Sequence, residues 1–225
     1  MLPWNGFEVM PATHSASAAH KLAAAAGVVL AFAWPWLVGG PAHSLASVRG
    51  DVRSICAEWL IALILVAIAF GFERRLPKFF GLRMFGWRDL LVMAGVLVAA
   101  FFFSGIASRF VRAPPFNLQL SGVPLSLRAG LVLTAGICEE FIYRGFAIEE
   151  LGALAGSRWL AALVSLIFFT LPHAKLYGFS PALVLPAIMG AALTLLYLWR
   201  HNLPVCMLMH AIVDGIFLIL VPALH

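Results

Sequence analysis

Apolar positions along this chain come in long, nearly unbroken runs rather than in strict alternation or narrow helical stripes. A helix needs about 20 predominantly apolar residues to cross a bilayer. Seven stretches approach that length: Lys21 to Leu37, Ile55 to Phe72, Leu90 to Ala107, Leu125 to Ile148, Trp159 to Leu171, Ala182 to Trp199 and Leu203 to Val221. All are predicted to be helices, because an open sheet edge in lipid leaves backbone groups unpaired. The fifth is short unless it runs past Pro172. The pattern predicts an all-α, polytopic transmembrane helix bundle of about seven spans. No internal repeat or long linker divides it, so residues 1–225 read as one membrane domain. Residues 1–120 supply scaffold helices and 121–225 the core. The stretch from Met1 to His20 lacks a basic beginning and does not read as a cleaved leader.

Composition sharpens this picture. Of 225 residues, 63% are hydrophobic and 11% charged, and the mean hydropathy is +0.98. Soluble domains carry about a quarter charged residues, so a water-facing surface is excluded. The formal charge of +5 does not point to nucleic acid, because the basic residues lie between apolar runs and read as topology signals. The densest cluster, Arg74, Arg75, Lys78, Arg83 and Arg88, predicts a cytoplasmic loop. Cys56, Cys138 and Cys206 lie inside apolar stretches and read as small hydrophobes. In the first three helices the acid noted is Glu58, and these helices read as lipid-facing scaffold.

The fourth helix is different. Its run Thr134-Ala-Gly-Ile-Cys-Glu-Glu-Phe-Ile-Tyr-Arg-Gly-Phe146 places two carboxylates and an arginine deep in an apolar segment. Such a group costs at least ~2.5–3.5 kcal/mol at the bilayer centre and marks function by default. Glu140 and Arg144 are i,i+4 neighbours in the favourable order for pairing. Glu139 is expected about 100° away around a helix of 3.6 residues per turn. Glu140 is therefore expected to be held by Arg144, and Glu139 to be free for proton transfer. On the fifth helix, Pro172 is expected to break regularity beside His173. The seventh carries His210 and Asp214 on one face, a pairing that orients an imidazole. These three helices are expected to converge. Glu149, Glu150 and the histidines His14, His20, His43, His201 and His225 read as solvated. Trp34, Trp36, Trp59, Trp87, Trp159 and Trp199 read mostly as interfacial belt residues.

Glu139-Glu140-Phe-Ile-Tyr-Arg144 resembles the Glu-Glu-x-x-x-Arg signature of the CAAX protease and bacteriocin-processing family, also called the ABI family. Phe169 to His173 resembles its Phe-x-x-x-His motif, and His210 to Asp214 its His-x-x-x-Asn or Asp motif. The resemblance covers about Leu125 to Val221. It implies a glutamic intramembrane endopeptidase acting on a membrane-anchored protein or peptide near its C-terminus. Carried over by motif, Glu139 and His173 activate water, and His210 and Asp214 stabilise the oxyanion. Glu140, Arg144 and Phe169 shape the site, with no cofactor and no metal. An ionised Asp214 cannot donate to an oxyanion as Asn does, so it is expected to orient His210. Rival readings are a zinc site, although no HExxH spacing exists, a cysteine protease using Cys138, and a non-catalytic transporter, immunity or scaffold protein. The Ala- and Arg-rich composition points to a prokaryotic inner membrane.

Overall fold

The computed structural model describes residues 18–38, 48–112 and 123–223, which form seven helical rods; there is no strand among them. They are α1 (Ala18–Val38), α2 (48–72), α3 (Trp87–Ala107), α4 (125–155), α5 (Arg158–Tyr177), α6 (Pro181–Arg200) and α7 (203–223). All except α4 are long and apolar enough to cross a membrane. Helix α4 has the length to do so but carries more charged residues than any other: Arg128, Glu139, Glu140, Arg144, Glu149 and Glu150. The expected N-terminal boundary, most of Met1 to His20, lies outside the described residues, as do His14, His43 and His225.

Helix α4 is the axis of the bundle, with α7, α5, α1 and α2 packed around it. Every residue from Phe141 to Glu150 is buried, whereas α3 buries only Asp89, Met93 and Ala100. Lipid is as apolar as leucine, so helices in a bilayer associate through close packing and internal polar contacts rather than by escaping solvent. Gly136 shows the close packing: a Cβ there would lie 3.1 Å from Ala211 Cβ and 3.2 Å from the Met207 carbonyl oxygen. The missing side chain lets α4 and α7 approach just where their polar residues face one another.

Pro172 does not end the fifth helix. It tightens the chain into a 3-10 turn, Leu171–His173, after which helix continues to Tyr177. Proline lacks the amide proton that a longer-range bond would need, and the irregular turn carries His173.

One end of the bundle is closed by buried ion pairs that join the three loops an alternating seven-helix path brings together. Arg75 clasps Glu150 at 2.9 Å, and Arg158 meets Glu149 at 2.6 Å. Tyr197 donates to the same Glu149 oxygen at 2.9 Å, and His201 Nε2 lies 3.2 Å from it. Arg83 and Arg200 both engage Asp89. Glu149 and Glu150 are therefore buried and paired, not solvated, and His201 is half-buried against one of them. Their local sequence resembles a polar helix end; the loops folded over them are what bury them. Trp34 is likewise fully buried rather than interfacial, because α1 presents it to the core.

At this end Glu73 sits in the loop after α2. Burial, reinforced by the nearby Glu150 carboxylate and opposed by Arg75, pushes its pKa from 4.5 up to about 7. The folded protein then holds a proton that the unfolded chain releases between about pH 4.5 and pH 7, so stability falls as pH rises through that window. Glu73→Gln cannot lose that proton. Its melting temperature in detergent is expected to exceed the wild type's by a few degrees at about pH 8 and to converge with it below about pH 4.5. Equal melting curves at both pH values would show that Glu73 is not titrating there.

Candidate active site

The middle of α4, Ala135–Ala147, is wound as a π-helix. Such wide turns are rare, occur mostly as single-turn bulges, and gather at functional sites. The wider turn advances each residue through a smaller angle than an α-helix. Adjacent residues such as Glu139 and Glu140 still diverge around the axis, though by somewhat less than about 100°, and helices packed on several sides of α4 cover both. Both carboxylates turn inward, with Glu139 4% and Glu140 0% exposed.

Glu140 is engaged through one oxygen, while its Oε2 makes no hydrogen bond to a described residue. Its Oε1 accepts from Arg144 Nη1 at 2.6 Å and lies 2.7 Å from His210 Nδ1. Arg144, 1% exposed, also donates from Nη2 to the Gly190 carbonyl at 3.1 Å, and its guanidinium lies 4.1 Å from the centre of the Phe169 ring. A planar fork that is hydrogen-bonded at its edge and stacked on its face is held in one orientation. Gly190 permits this arrangement, since a Cβ there would come within 2.8 Å of Phe169. The ring of Phe169 in turn meets Tyr143 edge-on at 5.5 Å, His173 at 5.1 Å and His210 at 6.1 Å. Phe169 is thus the apolar hub on which the motif side chains are arranged.

The two histidines are held differently. His173 Nδ1 lies 2.9 Å from the Phe169 carbonyl oxygen. A carbonyl only accepts, so Nδ1 carries the proton and Nε2 is left as the acceptor of a neutral ring. His210 has carboxylates on both sides, Glu140 at Nδ1 and Asp214 Oδ2 at 3.6 Å from Nε2. The longer separation exceeds a hydrogen bond. Glu140 rather than Asp214 therefore orients His210, a reversal of the expected arrangement. Tertiary contact brought in a closer acid than the i,i+4 neighbour.

Glu139 makes no hydrogen bond to a described side chain, yet His210, Asp214, Arg144 and Glu140 all lie within its electrostatic reach. His173 shares two of those neighbours, His210 and Arg144. The expected convergence of α4, α5 and α7 is thus present in the structure. Sequence reasoning missed one member. Glu58, expected to be a lipid-facing residue of α2, is 0% exposed, and its charged neighbours are Glu139 and Asp214. Its signal was its own charge at mid-span in an apolar helix. Beside these acids lies an apolar pocket of about 170 Å3 between α2 and α4, lined by Trp59, Leu63, Cys138, Phe141 and Met207 among others. Among the described residues, no three His, Cys, Asp or Glu side chains are gathered as a metal site would require.

Carboxylates and imidazoles drawn from α4, α5 and α7 to one buried region are groups that can move protons and face developing charge. Residues 121–216, from the start of α4 into α7, match the Rce1-like family, described as type II CAAX prenyl endopeptidase Rce1-like. The match supports, for this segment, the CAAX protease and bacteriocin-processing family and an intramembrane endopeptidase of the CAAX type. No curated protein and no solved structure matches the chain.

Proposed function

We propose that this protein is a glutamic intramembrane endopeptidase that cuts a membrane-anchored protein or peptide near its C-terminus in a prokaryotic inner membrane. One observation carries this reading: of two adjacent buried glutamates, Glu140 is held by Arg144 and His210, while Glu139 makes no hydrogen bond to a described side chain. Structure alone requires only the first. In the reaction Glu139 takes a proton from water with help from His173 Nε2, and the hydroxyl oxygen attacks the scissile carbonyl carbon. His210 Nε2 faces the oxyanion, to which it donates only when the ring carries both protons. On collapse the C–N bond breaks and the leaving amine takes up the proton. Glu140 at Nδ1 holds the imidazole toward that position, and Asp214, 3.6 Å from Nε2, adds negative charge beside the doubly protonated ring. The apolar pocket next to Glu139 suits a lipid-like or apolar part of the substrate.

The test is cleavage of a farnesylated peptide with a CAAX-type C-terminus by the protein reconstituted in liposomes, together with a comparison of membrane-protein C-termini in cells with and without it. Turnover that persists in strong chelators and disappears in Glu139→Gln is the expected result. Chelator-sensitive activity restored by zinc would replace this mechanism with a metalloprotease. Unchanged C-termini and no cleavage, with proton flux in the same liposomes, would point to a transporter instead.

A further inference from the structure

Glu58 lies on α2, outside the segment that carries the family motifs, and neither of its carboxylate oxygens has a hydrogen-bonding partner. Apart from Glu139, the other buried glutamates of the bundle core are paired with cations: Glu140 with Arg144, Glu149 with Arg158 and Glu150 with Arg75. The charged groups within electrostatic reach of Glu58 are Glu139 from α4 and Asp214 from α7, and Cys138 and Tyr143 of α4 lie within reach of its own charge. Asp51, two turns earlier on α2, is also buried without a partner. No site residue acts on it, however. The position of Glu58 is set by its neighbour. Trp59 Nε1 donates to Thr134 Oγ1 at 3.0 Å and pins α2 to α4 about one wide turn before Glu139.

Buried polar groups are hydrogen-bonded to something, and those left unpaired by the protein are where water or a ligand is engaged. We propose that Glu58 is a third carboxylate of the site, forming with Glu139 one acid pair that holds the attacking water. This rests on the hydrolytic reading above and adds to it a residue that the motifs do not contain. Water offers two protons. Glu139 takes one as the oxygen bonds to the carbonyl carbon, and the other is shared between Glu58 and His173 Nε2, turning the oxygen lone pair toward the substrate. Because the carboxylates share one water, their titrations are coupled, with steps that belong to the pair.

Infrared spectroscopy of the carboxyl band in phosphatidylcholine nanodiscs reads this coupling without substrate. Glu139→Gln is expected to move the titration midpoint of Glu58 by more than about one pH unit, and Glu58→Gln to move that of Glu139 likewise. Midpoints that do not move in either variant would overturn the inference and leave the protease reading untouched. With the farnesylated peptide, Glu58→Gln is expected to lower kcat about tenfold or more, with KM within about twofold and wild-type melting. Unchanged kcat in that folded variant also overturns it. Glu58→Asp, which keeps the acid on a shorter stem, is expected to recover part of kcat; recovery by Glu58→Leu instead would mark a packing role.

Discussion

Replacing Glu139 with glutamine is expected to lower turnover by about 10²–10⁴-fold, the usual share of a general base, while the protein inserts and melts like the wild type. The amide is nearly isosteric with the carboxylate but cannot accept a proton. Stability should be spared because Glu139 makes no hydrogen bond to a described side chain, and the Arg144–Glu140–His210 contacts do not pass through it. The measurement pairs single-turnover cleavage of the farnesylated peptide with thermal unfolding in detergent. Wild-type cleavage by a correctly inserted Glu139→Gln protein would end the glutamic mechanism. His173→Ala should follow it in direction, since its Nε2 is the other acceptor, but it also forfeits packing on Phe169.

Arg144→Ala is expected to act on the fold as well as on the reaction. The guanidinium is 1% exposed and holds three partners at once: the Glu140 carboxylate, the Gly190 carbonyl and the Phe169 ring. Its removal leaves a buried carboxylate with only His210, an unpaired carbonyl and a void over the ring. Breaking a buried pair from one side costs about 3–5 kcal/mol. The variant should melt well below wild type and lose activity together with its fold. Arg144→Lys should recover only part, because a single ammonium cannot bridge two acceptors and stack as a planar fork does. If Arg144→Ala melts like wild type and Glu139→Gln is the unstable protein, the roles assigned to the two glutamates are reversed.

Much of this protein is determined by sequence alone. Hydrophobic run length dictates seven helices, because a bilayer leaves no other way to satisfy the backbone. Motif residues on one helix keep a fixed relation, so the Glu140–Arg144 pair could be expected from spacing, and it forms at 2.6 Å. The separation of Asp214 from His210 was constrained in the same way, yet it settled at 3.6 Å because Glu140 from another helix came closer. That outcome belongs to the tertiary structure. So does the burial of both Glu139 and Glu140 on the π-wound stretch Ala135–Ala147, which neighbouring helices cover from several sides. Burial of Glu149 and Glu150 depends on loops distant in sequence, and the place of Glu58 in the site depends on how α2 lies against α4. Spacing along a helix is fixed by covalent geometry and is legible one residue at a time. Which faces meet across helices is decided by packing in lipid, where small residues such as Gly136 set how closely two backbones approach.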